Sequence, residues 1–284
     1  MKSFDEKVSV VVPNYNYARY LKRRVKSILN QTYPIFELIL LDDASTDESQ
    51  RVIRELVAMA KEKYPEMNVR AILNEKNTGQ PIRQWLKGVK EAKGEFVWIA
   101  EADDGANKHF LEEVMCGFKN SKVVMSYAES RVVNKAGLVI LPNYKYSRDK
   151  ERTGHFKNSY TRPGAREIEE IMAIRCTVPN VSAVVFRKTP ELLEYLEEAL
   201  KFEQVGDWYL YAKLLEKGEI SYNKKPLNYF RVHGGSATKR GKEHFEEVKW
   251  MHEFFKKRYQ LSEVTLERMA RELERIRAKY GIIE

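Results

Sequence analysis

Three sets of acidic residues lie where carboxylates could bind a divalent cation or accept a proton. Asp42-Asp43 and Asp103-Asp104 each follow a short apolar run, and Asp207 stands apart in the second half of the chain. Mg²⁺ and Mn²⁺ bind in proteins through one or two carboxylates together with phosphate oxygens of a substrate. A carboxylate can also take a proton from an attacking hydroxyl as a general base. These residues predict a site for a phosphorylated ligand, in which a cation bridges protein and phosphate.

Each of these residues also has an ordinary structural interpretation. Asp42-Asp43 could end a strand, and Asp103-Asp104 could form the turn that caps the next helix. Asp207 begins a helical segment, where the helix dipole favours an acidic side chain in any case. Tyr15 could be a packed surface ring, and His233 could be an inert loop histidine. No single feature decides between the alternatives.

Short apolar runs alternate with segments of helical periodicity over the first half of the chain. Between the runs, apolar residues such as Leu21, Val25 and Ile28 recur at three- and four-residue spacing. Apolar runs of this length between helices are typical of a parallel sheet that is covered on both faces. We therefore predict an α/β fold with strands at Val8–Val12, Phe36–Leu41, Val69–Leu73, Glu95–Ala100 and Val123–Tyr127.

The conspicuous polar segments come directly after these strands. In open α/β sheets, ligands bind at the carboxyl ends of the strands. The chain has no Gly-rich phosphate loop of the dinucleotide or P-loop kind, which excludes those two classes of site. What remains is an acidic, aromatic and Asn-rich edge made of Pro13–Asn16, Asp42-Asp43, Asn74–Gly79 and Asp103-Asp104.

Composition excludes several classes of protein. Of the 284 residues, 43% are hydrophobic and 11% are aromatic, which excludes a disordered or collagen-like chain. No apolar stretch approaches the ~20 residues of a membrane span, and Cys116 and Cys176 make no disulfide framework. The net charge is +9, but the 50 basic residues are interleaved with 41 acidic ones rather than clustered, so we expect no nucleic-acid partner. A cytoplasmic protein is expected.

The second half is less regular. A hairpin is predicted at Ser130–Ile140, followed by a long loop at 141–165 and then by mixed short strands and helices. Residues 239–284 predict two helices, the last with an amphipathic stripe. We expect this stripe to pack on the domain or on a second subunit in a homodimer. The alternative is peripheral contact with an anionic membrane, at the inner face of the cell membrane.

The order of these segments resembles that of inverting family 2 glycosyltransferases, which have the GT-A fold. The resemblance covers residues 7–238, so we expect one domain of residues 1–238 with a C-terminal helical extension of residues 239–284. It implies a Rossmann-like, mostly parallel central sheet flanked by helices, with the nucleotide in residues 1–125 and the acceptor in 126–238. The segments that carry it are Val8–Asn16, Ser27–Tyr33, Phe36–Asp47, Asn77–Gly79, Ala92–Asp104, Gly206–Tyr209 and Pro226–His233.

The resemblance implies a role for individual residues in binding the nucleotide. Pro13 and Tyr15 would line the nucleobase and ribose, and Asp43 would accept a hydrogen bond from the base. Asp103 would face the ribose. Arg83 would contact phosphate, although its segment departs from the commoner family pattern.

The resemblance also implies a metal site and a catalytic base. Asp104 would bind Mn²⁺ or Mg²⁺, His233 would approach the diphosphate or the ion, and Asp207 would be the general base. The chain reads Glu101-Ala102-Asp103-Asp104 rather than a literal Asp-x-Asp, which leaves open which carboxylate touches the ion. It also has Gly206 where the family commonly has an acidic residue.

The implied activity is transfer of a sugar from a nucleotide-diphosphate sugar, by family habit a UDP-sugar. The acceptor would be a hydroxyl of a glycan or lipid-linked saccharide in polysaccharide or cell-envelope synthesis, and a metal-assisted single displacement would invert the anomeric carbon. One alternative is a nucleotide-sugar-binding module that has lost catalysis, which only Gly206 favours. The other is a nucleotidyltransferase, which would need a Gly-rich, basic loop where Pro13–Asn16 stands.

Overall fold

Strands and helices alternate in the first half of the molecule as the sequence predicts. The computed structural model describes residues 6–149, 153–178, 180–233 and 241–282. The strands are β1 (Val8–Asn14), β2 (Glu37–Asp42), β3 (Asn68–Leu73) and β4 (Phe96–Ile99). The helices between them are α1 (Ala18–Leu29), α2 (Ser49–Lys63) and α3 (Pro81–Glu91). Pro81 begins α3 because its fixed φ suits the first helical residue and the missing N–H costs nothing there.

The second half adds shorter elements. Its strands are β5 (Gly105–Ala106), β6 (Val123–Val133), β7 (Val139–Leu141), β8 (Tyr160–Pro163), β9 (Val184–Arg187) and β10 (Glu219–Arg231). Its helices are α4 (Phe110–Met115), α5 (Lys145–Arg148), α6 (Gly164–Glu167), α7 (Pro190–Ala199), α8 (Gly206–Leu215), α9 (Gly241–Arg258) and α10 (Glu263–Tyr280). Short 3₁₀ segments lie at Cys116–Lys119 and Val181–Ala183, and a π-helical turn at Ile168–Met172.

All ten strands belong to one sheet, whose main order is β3-β2-β1-β4-β9-β6-β10-β5. The first four strands are parallel, and β6 and β10 are parallel to each other. β9 is antiparallel to both of its neighbours, β4 and β6. β6 and β10 therefore run in the direction of β1, and their carboxyl ends lie at the same edge of the sheet.

Six of the ten strands, β1–β4, β6 and β10, share one direction, which confirms the expected mostly parallel central sheet, and β9 and the short strands β5, β7 and β8 are antiparallel to it. The chain enters β9 at the carboxyl edge, where Asn180 contacts Asp104, rather than through a helical crossover from the other edge. That entry makes β9 antiparallel. Where the sequence predicts mixed short strands and helices, residues 219–231 form one long strand, β10, with register shifts beside Pro226. Proline lacks the N–H that an unbroken ladder requires.

Alternate residues of the central strands enter two cores, one on each face of the sheet. In β1, Val11 packs in the core that also contains residues of α3, α7 and α8. Val8, Val10 and Val12 pack in the opposite core with residues of α1, α2 and α4. Both faces are therefore covered, as the apolar runs predicted.

The C-terminal helices pack on the rest of the domain. Val248, Met251 and Phe255 of α9 and Met269 of α10 are buried in the first of the two cores. In the expected amphipathic stripe of α10, Met269, Leu273 and Ile276 therefore face protein, whereas Leu266 is exposed. Among the helices in the described ranges, none is long and apolar enough to cross a membrane.

Candidate active site

The loops after β1 and β2 hold each other in place. The Asn14 amide donates to Asp42 Oδ1 (2.8 Å), and the Ser45 hydroxyl donates to the same oxygen (2.6 Å). Asp42 is buried and thus serves as an internal anchor for both loops. The neighbouring Pro13 is buried, whereas Tyr15 is exposed on the surface of the sheet edge. A flat aromatic ring is therefore presented to solvent on a fixed backbone.

Two residues in these loops adopt left-handed backbone conformations. Asn16 has φ 58° and Ala44 has φ 57°, and such conformations cost about 1 kcal/mol or more for residues other than glycine. The Asn16 side-chain oxygen accepts a hydrogen bond from the Thr46 backbone N–H (2.8 Å), which links the two strained turns. Strain of this kind is found at binding sites, where surrounding contacts hold the backbone in place.

Asp43 organises the next part of the edge. Its carboxylate accepts hydrogen bonds from the Asn74 amide (2.7 Å), the Thr78 hydroxyl (2.8 Å) and the Gln84 amide (2.8 Å). The Thr78 backbone N–H also donates to it at 3.0 Å. Asp43 therefore fixes the loop after β3 and the first turn of α3. Its expected hydrogen bond to a nucleobase stays a prediction.

The first turns of α3 link three parts of the edge. Besides the bond from Gln84 to Asp43, the Trp85 indole N–H donates to Glu101 Oε1 (2.6 Å). Ile82 packs against Gly206, where a Cβ would fall 2.1 Å from the Ile82 Cδ1 atom. Arg83 is exposed on the same turn, and within the described residues its side chain makes no hydrogen bond or ion pair.

The two aspartates after β4 have different surroundings. Asp104 is buried, and its two oxygens accept hydrogen bonds from the Arg231 backbone N–H (2.8 Å) and the Asn180 amide (2.7 Å). Asn180 is held in turn by the Asn228 amide (3.0 Å). Burial raises the pKa of Asp104 to about 7, and the negative charge of Asp103 adds to the effect. Asp104 thus joins the end of β4 to β10.

Asp103 is more open, with 16% of its side chain exposed. Its Oδ2 atom lies 2.7 Å from Nε2 of His233, which follows β10. The His233 ring is held against Tyr17 (5.4 Å between centroids) and Tyr20 (5.9 Å). The Arg231 Nε–H donates to the Asp103 backbone carbonyl at 2.6 Å. A partly exposed carboxylate and a nearly buried imidazole therefore meet at the carboxyl edge of the sheet.

A buried arginine lies within electrostatic reach of the acidic residues. Arg24 of α1 is fully buried 4.9 Å from the Trp98 ring, and its three nitrogens have no hydrogen-bond partner among the described residues. Burial lowers the pKa of Arg24 to about 10, against the opposing charges of Asp104, Asp103 and Glu101. Burial and the charge of Asp103 raise the pKa of Glu101 to about 8. Arg24 thus supplies a fixed positive charge that offsets the three carboxylates.

Asp207 lies in the first turn of α8, as the sequence predicts. Its Oδ1 accepts the Trp208 backbone N–H (2.7 Å), and burial raises its pKa from 3.8 to about 6. Burial makes the largest contribution to the raised pKa of Tyr211. The negative charges of Asp207 and Glu101 raise this pKa further. Asp207 and the residues after β4 therefore lie within electrostatic reach of one side chain.

The backbone before Asp207 is held by α9. The Glu247 carboxylate accepts hydrogen bonds from three consecutive backbone N–H groups, those of Glu203 (2.8 Å), Gln204 (2.8 Å) and Val205 (3.0 Å). These residues precede α8 directly. The C-terminal extension thus helps to fix the start of the helix that carries Asp207.

The donor set suits a hard divalent cation that also binds phosphate. Within the described ranges, no group of three or more His, Cys, Asp or Glu side chains is arranged to enclose an ion. Asp103, with 16% of its side chain exposed, lies beside the imidazole of His233, which is 3% exposed, whereas both Asp104 oxygens accept hydrogen bonds from protein donors. Mg²⁺ and Mn²⁺ commonly take only one or two protein ligands and complete their shell with phosphate and water.

The structure brings most of the expected residues to one edge. Pro13, Tyr15, Asp43, Asp103, Asp104 and His233 all belong to segments that leave the carboxyl ends of strands in the sheet. Sequence reasoning did not single out Asn180, Glu247 or Arg24, since their contacts join distant segments and leave no local pattern. Arg231 stands two residues before His233 and shares its segment, which is the one available signal.

Comparison with known proteins identifies the family. The family model described as glycosyl transferase family 2 matches residues 9–177, which is more than half of the chain. An uncharacterized glycosyltransferase of Nostoc sp. is 39% identical over 118 residues, covering 42% of this chain and 34% of that protein. The chain spans about a third of the length of the curated relatives that it matches.

Solved structures share the fold over almost the whole chain. S. aureus TarS 1–349 in complex with UDP-GlcNAc has a TM-score of 0.66 at 20% identity, covering 96% of this chain and 73% of that one. A mannosyltransferase from Pyrobaculum calidifontis, in complex with GDP-Man and Mn²⁺, has a TM-score of 0.60 at 16% identity, covering 95% and 70%. At these identities the likeness bears on the fold alone. The family match completes the assignment: this chain belongs to glycosyl transferase family 2.

Proposed function

We propose that this chain transfers a sugar from a nucleoside-diphosphate sugar, taken here as a UDP-sugar, to a hydroxyl of a glycan or lipid-linked saccharide. The observation that carries the proposal is the convergence of Asp103 and His233 at the carboxyl edge of the sheet. The raised pKa of Asp207, whose charge acts on Tyr211 as that of Glu101 does, adds a candidate proton acceptor. Family membership and the UDP-GlcNAc complex of TarS support the choice of donor.

The nucleotide would bind across the loops after β1 and β2. Tyr15 offers an exposed ring beside the buried Pro13, suited to stacking on a base or ribose. Asp43 would accept a hydrogen bond from the base. One of its present donors, such as the Asn74 or Gln84 amide, would then move away from the carboxylate. The exposed Arg83 is free to turn towards phosphate.

A divalent cation, Mn²⁺ or Mg²⁺, would be held by Asp103 and His233. The resemblance implied Asp104 on the ion and Asp103 towards the ribose, but the hydrogen bonds of Asp104 favour Asp103 for the ion. When bound, the cation supplies positive charge that offsets the charge developing on the departing diphosphate. Asp104 would keep the end of β4 and β10 together around it. The Mn²⁺ complex of the P. calidifontis enzyme supports this type of cofactor.

Asp207 would be the general base. The acceptor hydroxyl oxygen forms a bond to the anomeric carbon while the bond from that carbon to the diphosphate oxygen breaks. The proton of the hydroxyl passes to the Asp207 carboxylate, and the electron pair of the broken bond leaves with the diphosphate. Attack from the face opposite the leaving group inverts the anomeric centre in one displacement.

Gly206 does not favour a module that has lost catalysis. A side chain at this position would meet Ile82 and approach the Ala199 carbonyl oxygen to 3.1 Å. Packing against α3 therefore accounts for glycine here, and Asp207 itself is retained. A nucleotidyltransferase is not favoured either, since the loop after β1 carries a tyrosine and asparagines instead of a Gly-rich basic sequence.

The test is release of nucleoside diphosphate from a panel of UDP- and GDP-sugars with Mn²⁺ and simple glycosides as acceptors. We expect one donor to be consumed with formation of a glycoside whose anomeric configuration, read by NMR, is opposite to that of the donor. Retention of configuration would contradict the single displacement. A folded protein that binds a nucleotide but consumes no donor with any acceptor would favour the module without catalysis.

A further inference from the structure

The hairpin between β6 and β7 presents an unusual run of exposed apolar residues. Leu138, Val139 and Ile140 are 67%, 49% and 56% exposed. Isolated exposed apolar residues are common, but here Leu138 ends the turn and Val139 and Ile140 begin β7, and three exposed apolar residues in succession are of the kind that marks interaction sites. The Asn134 side-chain oxygen accepts the Leu138 backbone N–H (3.0 Å), and Gly137 takes a φ of 90°, so the turn has a defined shape.

This hairpin is fastened directly to the candidate active site. Arg231 donates from one guanidinium nitrogen to the backbone carbonyl of Asn134 (2.7 Å) and from Nε to that of Asp103 (2.6 Å). The hairpin therefore stands beside the acidic edge of the sheet, where an acceptor would approach. A partner that covers the hairpin would lie next to Asp103.

A positively charged face of α1 borders the hairpin. Arg23 reaches the turn: a Cβ at Gly137 would lie 2.0 Å from a guanidinium nitrogen of Arg23. Arg19, Arg23 and Lys26 follow helical spacing along one side of α1, and all three are exposed. In the part of the chain that the structure describes, none of the three forms an ion pair with an acidic side chain. Lys135, in the hairpin itself, is exposed as well.

We propose that the hairpin tip and this face of α1, together called the hairpin surface, dock on a bilayer that contains anionic phospholipids. The apolar side chains of residues 138–140 would enter the headgroup region, and Arg19, Arg23, Lys26 and Lys135 would meet lipid phosphates. An apolar tip bordered by unpaired cations complements such a surface in both polarity and charge. This proposal rests on the proposed function in one respect. If the chain is a sugar transferase, docking on a bilayer selects a lipid-linked saccharide as its acceptor class.

The experiment is flotation of the full chain with vesicles of phosphatidylcholine alone and with about 30% phosphatidylglycerol, at low and high salt. We expect binding to the anionic vesicles that weakens with salt. Leu138→Asp should weaken it by about tenfold or more, because it replaces a leucine side chain that the bilayer would bury with a charged one. Lys26→Gln should weaken it by about fivefold, the effect of one cation near such a surface.

Two matched variants separate this surface from general exposure and charge. Val264 of α10 is 64% exposed, and Lys249 of α9 is exposed without an ion pair among the described residues. Val264→Asp and Lys249→Gln should leave vesicle binding unchanged. The proposal is overturned if Val264→Asp weakens vesicle binding as much as Leu138→Asp does, and Lys249→Gln as much as Lys26→Gln does. It is also overturned if the wild-type chain binds neutral vesicles as well as anionic ones, or binds neither. A dimer in light scattering that Leu138→Asp converts to monomer would overturn it as well, since the patch would then be covered by a second copy.

UDP binding, measured by calorimetry on the same variants, keeps the two proposals distinguishable. Leu138→Asp and Lys26→Gln should bind UDP as the wild type does, which also shows that they fold. Vesicle binding without sugar transfer would leave the hairpin surface in place and contradict the proposed function. Sugar transfer to soluble glycosides without vesicle binding would support the proposed function and contradict the role of the hairpin surface.

Discussion

His233 Nε2 lies 2.7 Å from Asp103 Oδ2, although 130 residues separate the two in the chain. One residue follows β4 and the other follows β10, so the sheet alone brings them together. Asp103 keeps 16% of its side chain exposed, whereas Asp104 is buried and accepts two hydrogen bonds from protein donors. This difference separates the roles of two adjacent aspartates.

The two aspartates should respond differently to substitution. Asp103→Asn should weaken Mn²⁺-dependent UDP binding by more than about tenfold, because even residues that only orient a metal ligand contribute 10- to 100-fold. Asp104→Asn should retain metal dependence. Below about pH 6, where the Asp104 pKa of about 7 leaves this side chain uncharged in the folded chain, it should lower the free energy of unfolding by about 1 kcal/mol, since an amide keeps only one acceptor oxygen for the donors Arg231 and Asn180. Calorimetry and chemical denaturation measure the two effects. The reverse pattern would place the ion on Asp104.

Asp207→Asn should abolish transfer and spare nucleotide binding. General bases contribute about 10²- to 10⁴-fold, so kcat should fall by that factor while the dissociation constant for UDP stays within about twofold. Glu191→Gln is the matched control, because Glu191 lies in the first turn of α7 as Asp207 does in α8. Substantial residual turnover in the Asp207 variant would remove it as the base.

The raised pKa of Asp207 also predicts a dependence of stability on pH. Its pKa is about 6 in the folded chain and 3.8 as an ordinary Asp, so the folded state binds a proton that the unfolded state has lost between these values. The contribution of Asp207 to stability is therefore highest below pH 4, falls as the pH rises to about 6, and is constant above that.

Relative to wild type, Asp207→Asn should gain stability between pH 4 and pH 7, by about 2–3 kcal/mol. Denaturant unfolding of both proteins across this range measures the difference. The kcat of the wild type should fall on the acid side with a midpoint near pH 6, where the base becomes protonated. A stability difference that does not change with pH would show that Asp207 ionises as a solvent-exposed aspartate does.

Glu247→Gln should slow the reaction without weakening donor binding. Its carboxylate accepts three backbone N–H groups just before α8, and an amide cannot accept all three. We expect kcat to fall by about tenfold while KM for the donor is unchanged, because displacing a catalytic group by about 1 Å can cost up to 10²-fold. Glu246→Gln, one residue earlier and exposed, is the control. A loss of thermal stability with an unchanged kcat would limit Glu247 to a structural role.

Local sequence patterns predicted the parts of this molecule that local forces determine. Apolar runs such as Val8–Val12 indicated buried strands, and the polar residues after them indicated the edge where Asp43 and Asp103 lie. The direction of β9 has no local signal in the sequence, since it depends on how a long irregular connection returns to the sheet. Asn180 and Glu247 were missed for the same reason, as each contacts a segment far away in the chain.

The division of roles within Glu101-Ala102-Asp103-Asp104 also needed the structure. The sequence of these four adjacent residues does not indicate which carboxylate faces solvent. In the structure, the Arg231 backbone N–H donates to Asp104 and holds its carboxylate inside the protein. Arg24 is a further case, because a helical arginine in a basic segment is normally solvated, yet this one is buried beside Trp98.

Calorimetric titration of the purified chain with UDP, GDP, dTDP and CDP, each with Mn²⁺ and with EDTA, tests the proposed nucleotide and metal site. We predict that UDP binds with Mn²⁺, that EDTA weakens binding by more than about tenfold, and that Asp103→Asn removes the metal dependence. If the folded protein binds none of the four diphosphates, the assignment of the site to a nucleotide-sugar donor is contradicted.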